Sequence, residues 1–249
     1  MKSKLNKVLK PLITIGALTL SHLSQATIVE FQTTHGNFKV NLFDLTTPKT
    51  VENFLHYVNE NKYENVLIHR VASESSGGTI VQGGGYQNNG TYSAPHISTI
   101  GTVKNEPVWS NVKGTIAMAK GSDPDSATSE WFVNLHDNSD NGFKLDTQTG
   151  GFTVFGHIVE GMEHLEAISN LTLCGSRPMV ECVESSENFV TITHTLVLDD
   201  DPASANTLSP IKNTLLEEDK KDTSTSGGSI AWLSILAFGL IAFRKKMIE

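Results

Sequence analysis

Two neighbouring stretches decide the fold: Ile68-His69-Arg70-Val71 and Val81-Gln82-Gly83-Gly84-Gly85. Each begins with a β-branched apolar residue followed by a polar one, a composition that is typical of short strands. We therefore predict strands at Val66–Arg70 and Ile80–Gly83. The glycine run is not followed by Gly-Lys-Ser or Gly-Lys-Thr, so it does not predict a phosphate-binding loop.

Short elements of the same kind continue on both sides of these stretches. The further predicted strands are Ile28–Thr33, Phe38–Phe43, Gly114–Ala119, Trp131–Asn134, Thr153–Val159 and Phe189–Leu198. One helix is predicted to begin at Pro48 with Thr47 as its N-cap, and a second, short one spans Met162–Ser169. Many short strands with few helices and glycine-rich turns favour a mainly β fold, a barrel or a sandwich.

Composition excludes several classes of protein. Of the 249 residues, 38% are hydrophobic, which is too many for a chain that is disordered throughout. Two cysteines allow at most one intramolecular disulfide, which excludes the class of small disulfide-rich proteins. A formal net charge of −8 argues against nucleic acid as a partner. The nine histidines show no close pairing at metal-ligand spacing, so the sequence does not indicate a metal site.

The two ends of the chain have the composition of targeting segments. Residues 1–26 combine four lysines, a short apolar run and the small residues Ser24 and Ala26, which predicts a secretory signal peptide. Residues 227–249 combine a Gly-Gly pair, an apolar stretch and the basic cluster Arg244-Lys245-Lys246. This tail resembles the bacterial GlyGly-CTERM sorting signal, and a plain membrane anchor is the alternative. Both ends predict an exported protein, located in the periplasm, on the membrane or at the cell surface.

The chain between these ends divides into a folded domain at 27–198 and an acidic linker at 199–226. The linker has seven acids, three bases and no aromatic residue, which predicts a solvated spacer. An acidic interaction tail is the alternative. Cys174 and Cys182 are predicted to form a disulfide, because the protein is expected to be exported and the pair lacks the C-x-x-C spacing of a catalytic dithiol.

The folded part resembles a cyclophilin-type peptidyl-prolyl cis-trans isomerase. The two opening stretches are followed, in family order, by three further blocks: Lys113-Gly114-Thr115-Ile116-Ala117-Met118-Ala119, Asp125-Ser126-Ala127-Thr128-Ser129-Glu130-Trp131-Phe132-Val133-Asn134 and Val154-Phe155-Gly156-His157-Ile158-Val159-Glu160-Gly161-Met162. Each block alone is weak, but five in order are specific. The resemblance implies an eight-stranded antiparallel β-barrel capped by two α-helices. It also implies rotation about X–Pro bonds without a cofactor.

The resemblance carries over the site one residue at a time. Arg70 matches the family's catalytic arginine, and Gln82 matches a glutamine that contacts the substrate and orients that arginine. The remaining substrate-binding candidates are Ile80, Ala119, Glu130, Phe132, Leu145 and Phe152. A permanently charged guanidinium suits a donor that engages the proline nitrogen as the amide twists.

Four positions depart from the family pattern. Thr79 stands in place of a pocket aromatic, Glu130 in place of a glutamine, Lys144 in place of an aromatic and Phe152 in place of a histidine. We expect Glu130 to place a negative charge near the site, where it could pair with Arg70 and compete with the substrate.

These observations predict an exported prolyl isomerase that assists the folding of other exported proteins. Its expected partners are Pro-containing segments, and the membrane through residues 227–249 before any cleavage. A cyclophilin-fold module that binds proline peptides with little turnover is one alternative, motivated by Thr79, Glu130 and Lys144. A surface scaffold is the other, motivated by the acidic linker and the tail.

Overall fold

The computed structural model describes residues 27–140, 142–199 and 208–216 of the chain. The strands are β1 (Ile28–Thr33), β2 (Phe38–Leu42), β3 (Val66–Ser73), β4 (Thr79–Gln87), β5 (Thr115–Met118), β6 (Trp131–Asn134), β7 (Val154–Glu160), β8 (Thr172–Cys174), β9 (Arg177–Met179) and β10 (Thr191–Asp199). Two α-helices, α1 (Pro48–Asn59) and α2 (Met162–Ser169), and a short 3₁₀ turn at Gln148–Gly150 complete the described elements.

Eight of these strands close into an antiparallel barrel in the order β1-β10-β3-β4-β6-β5-β7-β2, while β8 and β9 form a separate hairpin. Closure pairs β1 with both β2 and β10, so the first strand of the fold lies beside the last. The predicted eight-stranded barrel with two helices is confirmed. Each strand predicted from the sequence is present, and the hairpin β8–β9 and the short 3₁₀ turn were not predicted.

The barrel interior is filled by aromatic and branched side chains. Phe31 stacks on Phe38 with ring centroids 4.5 Å apart, and the buried Trp131 meets Phe31 edge-on at 5.0 Å. Phe54 on α1 contacts both Phe31 and Phe155, at 5.9 and 5.1 Å, so the helix buries its apolar face against the barrel core. Rings in tilted and edge-on contact fill such a core without voids.

The helix α1 begins at Pro48, as predicted, but its first turn is capped from elsewhere. Thr47 makes no side-chain capping bond within the described part of the chain, and its hydroxyl contacts the carbonyl of Phe43 instead. Glu106 supplies the acceptor, because its carboxylate receives the backbone N–H of Thr50 at 2.9 Å and the Thr50 hydroxyl at 2.8 Å. A negative charge at a helix N-terminus satisfies free N–H groups and the helix dipole together.

The predicted disulfide between Cys174 and Cys182 is confirmed, with the two Cα atoms 5.5 Å apart. It ties the hairpin β8–β9 to the chain that follows it. The turn of this hairpin reaches β3, where the N–H of Val71 donates to the carbonyl of Ser176 at 2.7 Å. The hairpin therefore braces the strand that carries Arg70.

Reduction of this disulfide is expected to lower the free energy of unfolding by about 2–3 kcal/mol, because opening a small loop restores entropy to the unfolded chain. Urea unfolding with and without a thiol reductant measures the difference. The double variant Cys174→Ser, Cys182→Ser is the control, since its unfolding midpoint should not respond to the reductant. An unmutated protein whose midpoint is equally insensitive would contradict the expectation.

One part of the predicted linker lies on the barrel. Residues 208–216 run beside residues 108–110, and Asn213 within them is only 4% exposed. The composition of the linker did not indicate this contact, because the acids that dominate it lie on either side of the segment. The predicted signal peptide at 1–26 and the tail at 227–249 lie outside the described residues. Among the helices that are described, none is long and apolar enough to cross a membrane.

Candidate functional site

The candidate site lies on the outer face of the barrel, where β3, β4, β6, β5 and β7 lie side by side. Successive side chains of a strand point to opposite faces of the sheet. The residues that alternate with the core residues along these strands therefore form a second layer on the outside of the barrel. Its buried members are Phe43, Ile80, Ala117, Phe132, Leu145 and Val154. Ala119, Phe143 and Phe152 pack against this layer and remain partly accessible. The result is an apolar surface on a rigid sheet.

Strand register places Arg70 in one row with this surface. Arg70 is paired with Gln82 across β3 and β4, and Gln82 is paired with Phe132 across β4 and β6. Ala117 continues the row from Phe132, and Val154 continues it from Ala117. The row therefore runs from an exposed cation, through an amide, to apolar side chains.

Gln82 connects Arg70 to Glu130. The guanidinium Nη1 of Arg70 donates to Oε1 of Gln82 at 2.9 Å, and Nε2 of Gln82 donates to Oε2 of Glu130 at 2.7 Å. The expected ion pair between Glu130 and Arg70 is therefore wrong: no carboxylate of the described residues forms an ion pair with Arg70. The physical reason is that the amide lies between them, so that Glu130 orients Gln82 and the guanidinium stays open to a substrate.

His69 is the second partner of Glu130, with its Nε2 atom 3.3 Å from Oε2. Both side chains are largely buried, at 9% and 24% exposure. Burial alone would raise the pKa of Glu130, but the hydrogen bond and the charge of His69, together with the Gln82 amide, lower it below its ordinary value. Glu130 therefore remains ionised. Its ionised form stabilises the folded state at pH values above the ordinary pKa of a glutamate, and this stabilisation is lost as the pH falls through the lowered pKa of Glu130.

The glycine run of the opening stretch makes room for this carboxylate. A Cβ atom at Gly85 would lie 2.6 Å from Oε1 of Glu130, and one at Gly84 would lie 2.7 Å from the carbonyl of Ser129. Gly84 also has a φ of +87°, in the left-handed region that favours glycine. Gly84 and Gly85 are therefore explained by close packing against Ser129 and Glu130, the residues just before β6.

A loop from Leu145 to Phe152, the pocket loop, closes one side of the apolar surface. Its two ends are joined by a hydrogen bond from the N–H of Phe152 to the carbonyl of Leu145, at 2.8 Å. The buried Asp146 accepts hydrogen bonds from Ser110 Oγ at 2.5 Å and from the backbone N–H of Asn111 at 2.7 Å. Asn111 Nδ2 also donates to the carbonyl of Phe152, at 3.2 Å. Leu145 and Phe152 are thus held by a buried polar cluster.

Phe152 has an apolar and a charged neighbour. Its ring meets Phe132 edge-on at 5.8 Å, and Nζ of Lys120 lies 4.4 Å from its centroid. Lys120 also donates to the carbonyl of Thr149 at 2.9 Å, and burial lowers its pKa. The departure to phenylalanine at 152 thus removes a polar ring and adds a platform for a cation.

The structure brings the predicted site residues together. Arg70, Gln82 and Glu130 form the polar end of the surface, and Ile80, Ala119, Phe132, Leu145 and Phe152 belong to its apolar part. Thr79, which replaces an aromatic, has its hydroxyl 3.1 Å from that of Ser73, across the β3–β4 turn. The sequence did not predict His69, Asn111 and residues 208–216 as supports of the site. The position of His69 next to Arg70 in the opening stretch was the one available signal.

We expect Glu130→Ala to lower kcat/KM for X–Pro isomerisation about tenfold, the equivalent of one charge-assisted hydrogen bond. Without the carboxylate, the Gln82 amide is free to rotate and Arg70 loses an oriented acceptor. Glu130→Gln should retain most of the activity, because its amide oxygen still accepts from Gln82. An exchange assay on a proline peptide measures both variants.

Glu52, exposed on α1, provides the matched control for this prediction. Glu52→Ala removes the same charge far from Gln82 and should leave kcat/KM unchanged. Equal activity of Glu130→Ala and Glu52→Ala would show that Glu130 does not act through Gln82.

The site thus combines an exposed arginine with an apolar surface on the outside of a closed eight-stranded barrel. A family model described as cyclophilin type peptidyl-prolyl cis-trans isomerase/CLD matches residues 28–195. The chain belongs to this family, and it is a peptidyl-prolyl cis-trans isomerase.

Relatives agree with this assignment, and solved structures share the fold. A peptidyl-prolyl cis-trans isomerase of Acinetobacter baylyi is 36% identical over 162 residues, which cover 64% of this chain and 81% of that protein. Peptidyl-prolyl cis-trans isomerase B of Escherichia coli is 36% identical over 147 residues, covering 58% and 85%. The crystal structure of a cyclophilin type isomerase from Cryptosporidium parvum shares the fold, with a TM-score of 0.51 at 19% identity, covering 70% of this chain and 98% of that one. A second crystal structure of that protein was determined in the presence of the dipeptide Ala-Pro.

Proposed function

We propose that Arg70 is the catalytic residue and that the apolar surface beside it takes the proline ring. The row from Arg70 through Gln82 to Phe132 carries this proposal, because it places a fixed cation next to a surface that suits an apolar ring. The substrate class is a Pro-containing segment bound along the outer face of the barrel.

The chemistry requires no nucleophile. Resonance gives the peptide C–N bond a rotation barrier of about 18–20 kcal/mol, and the barrier falls when the nitrogen lone pair no longer conjugates with the carbonyl. A guanidinium N–H that donates to this nitrogen in the twisted state stabilises the localised lone pair. Arg70 can act in this way because Gln82 engages only Nη1 among its donors in the described contacts.

Gln82 acts mainly on the arginine. Its Oε1 accepts a hydrogen bond from the Arg70 guanidinium, and one N–H of its amide donates to Glu130. The second amide N–H is left to donate to a substrate carbonyl. Ile80, Phe132 and Leu145, all buried in the apolar layer, form the floor and the side of the pocket. Phe132, which is on β6 and is 2% exposed, would face the proline ring.

The central experiment measures X–Pro exchange by NMR on a proline peptide with the purified protein. We expect exchange well above the uncatalysed rate, for which the time constant is about 10–100 s. Peptide binding without faster exchange would overturn the proposed roles and would favour a binding module. Exchange that is unaffected by loss of Arg70 would overturn the assignment of the catalytic residue.

We also propose that the protein is exported and assists the folding of exported chains outside the cytoplasmic membrane. The support is the composition of residues 1–26 and 227–249, together with the disulfide, which is typical of oxidising compartments. Since residue 216 lies on the barrel, residues 217–229 would allow at most about 45 Å between the domain and an anchored tail. The site would then work close to the membrane surface.

Mass spectrometry of the protein from its native host tests this location. We expect a chain that begins after residue 26 and that ends near the Gly-Gly pair at 227–228, if the tail is a sorting signal. A mass that includes residues 228–249 would support the plain anchor, and a mass that includes residues 1–26 would contradict export.

A further inference from the structure

Residues 208–216, the C-terminal strap, lie beyond the region that matches the family model and yet pack beside the site. The strap forms an antiparallel bridge with residues 108–110. The N–H of Ser110 donates to the carbonyl of Ile211 at 2.8 Å, and the N–H of Asn213 donates to the carbonyl of Val108 at 2.9 Å. Two backbone bonds in opposite directions hold the strap in one register.

Asn213 carries the contact to the pocket loop. Its side-chain Nδ2 donates to the carbonyl of Asp146 at 2.9 Å, and its Oδ1 accepts the N–H of Leu215 at 3.1 Å. Asn213 is 4% exposed and Asp146 is 1% exposed, so water cannot readily replace either partner. Asp146 is the neighbour of Leu145, which belongs to the apolar surface.

The rest of the strap contacts both the loop and the apolar surface. At the far end of the loop, a Cβ atom at Gly151 would lie 3.0 Å from Cδ1 of Leu216, so the strap sits directly against the residue before Phe152. At the other end of the strap, Leu208 packs against the outer apolar layer. The strap therefore touches the loop next to each of its two pocket residues.

A buried polar cluster on the outer side of the sheet holds the same loop. Asn111 and Asp146 join Ser110 to the loop, and the backbone of Ser110 is also a partner of the strap. The pocket loop is thus enclosed between the cluster beneath it and the strap over it. Its side chains have little freedom while both remain in place.

We propose that the C-terminal strap positions the pocket loop and thereby determines how tightly the site holds the proline segment, with Asn213 as its positioning residue. This inference rests on the proposed binding surface, but it does not require Arg70 to be the catalytic residue. Loss of the strap contact should affect peptide affinity more than the rotation step, because the row from Arg70 to Phe132 lies on strands that the strap does not pair with.

The test uses the full chain with three variants. Asn213→Ala removes both side-chain bonds, Asn213→Asp keeps the acceptor for Leu215 but loses the donor to Asp146, and Leu216→Ala removes the contact at Gly151. Thr214→Ala, at an exposed position of the same segment, is the control. NMR titration with a proline peptide gives Kd and the bound exchange rate, and the amide resonances of Leu145 and Phe152 report on the loop. All measurements are made well below the lowest melting temperature.

We expect the two Asn213 variants to weaken peptide binding roughly five- to tenfold, as loss of one buried hydrogen bond would do, with exchange in the bound state changed less than twofold. Leu145 and Phe152 resonances should shift, whereas Thr214→Ala should match the unmutated protein. Variants that melt earlier but keep Kd and both resonances would overturn the proposal, because the strap would then only stabilise the fold. A wrong assignment of the binding surface gives a different result from a wrong role of the strap, because in the first case the unmutated protein would not bind the peptide.

Discussion

Arg70→Ala is expected to lower kcat/KM for X–Pro isomerisation by about a hundredfold or more, which is the usual effect of removing one donor that acts at the transition state. The structure indicates that the substitution would affect activity and not folding. Arg70 is exposed, it forms no ion pair with a carboxylate of the described residues, and it is oriented by the Gln82 oxygen at 2.9 Å. The barrel core does not include it, so the variant should fold and should still bind the peptide.

Two further variants separate charge from geometry in this prediction. Arg70→Lys keeps the positive charge but not the planar fork, and it should recover only a small part of the lost activity. Lys104→Ala removes a cation at an exposed position elsewhere and should leave the rate unchanged. Exchange spectroscopy measures all three. If Arg70→Ala turned the peptide over as fast as the unmutated protein, the catalytic donor would have to be another group.

Asp146→Ala is expected to destabilise the protein by roughly 3–5 kcal/mol, because it leaves several buried donors without an acceptor. Its carboxylate receives Ser110 Oγ at 2.5 Å and, from Asn111, the backbone N–H at 2.7 Å and the side-chain Nδ2 at 3.0 Å. Hydrogen bonds to an ionised acceptor are the stronger kind. Thermal or urea unfolding gives the loss of stability.

The same substitution should also weaken catalysis, since Leu145 and Phe152 flank the disturbed loop. Asp146→Asn is the milder variant, because its amide keeps one oxygen for the donors of Asn111. Asp140→Ala, at an exposed position before the same loop, should change neither stability nor activity. A free energy of unfolding that is equal in Asp146→Ala and Asp140→Ala would contradict the role given to the buried cluster.

Much of the site was predictable from local motifs. Arg70 and Gln82 were identified because their flanking residues match the family in order, and β3 and β4 confirm that both side chains lie on strands. Glu130 was expected near the site and is there, but its partner was predicted wrongly. The resemblance to the family placed both charges near the site, whereas the relay through Gln82 depends on the register between β4 and β6.

Other parts of the site depend on residues that are distant in the chain. Asn213 forms a hydrogen bond with Asp146, which is 67 positions away in the sequence, and Asn134 forms one with Asn111, which is 23 positions away. No spacing rule connects such pairs, because the contacts arise when the barrel closes and the chain beyond it returns. The average composition of residues 199–226 predicted a solvated spacer instead. The acids on either side dominate that average and outweigh the apolar Leu208, Ile211 and Leu216.

By itself, the sequence determined the type of fold, the position of the eight barrel strands and the two helices, the disulfide and the arginine that matches the family motif. These features are local: alternation, capping residues and short motifs act over a few positions, where sequence and structure are directly linked. Only the tertiary structure decided which side chains share the outer face, what Glu130 holds and how the C-terminal strap reaches the pocket loop. Those contacts are set by strand register and barrel closure, which bring together residues that no local pattern relates.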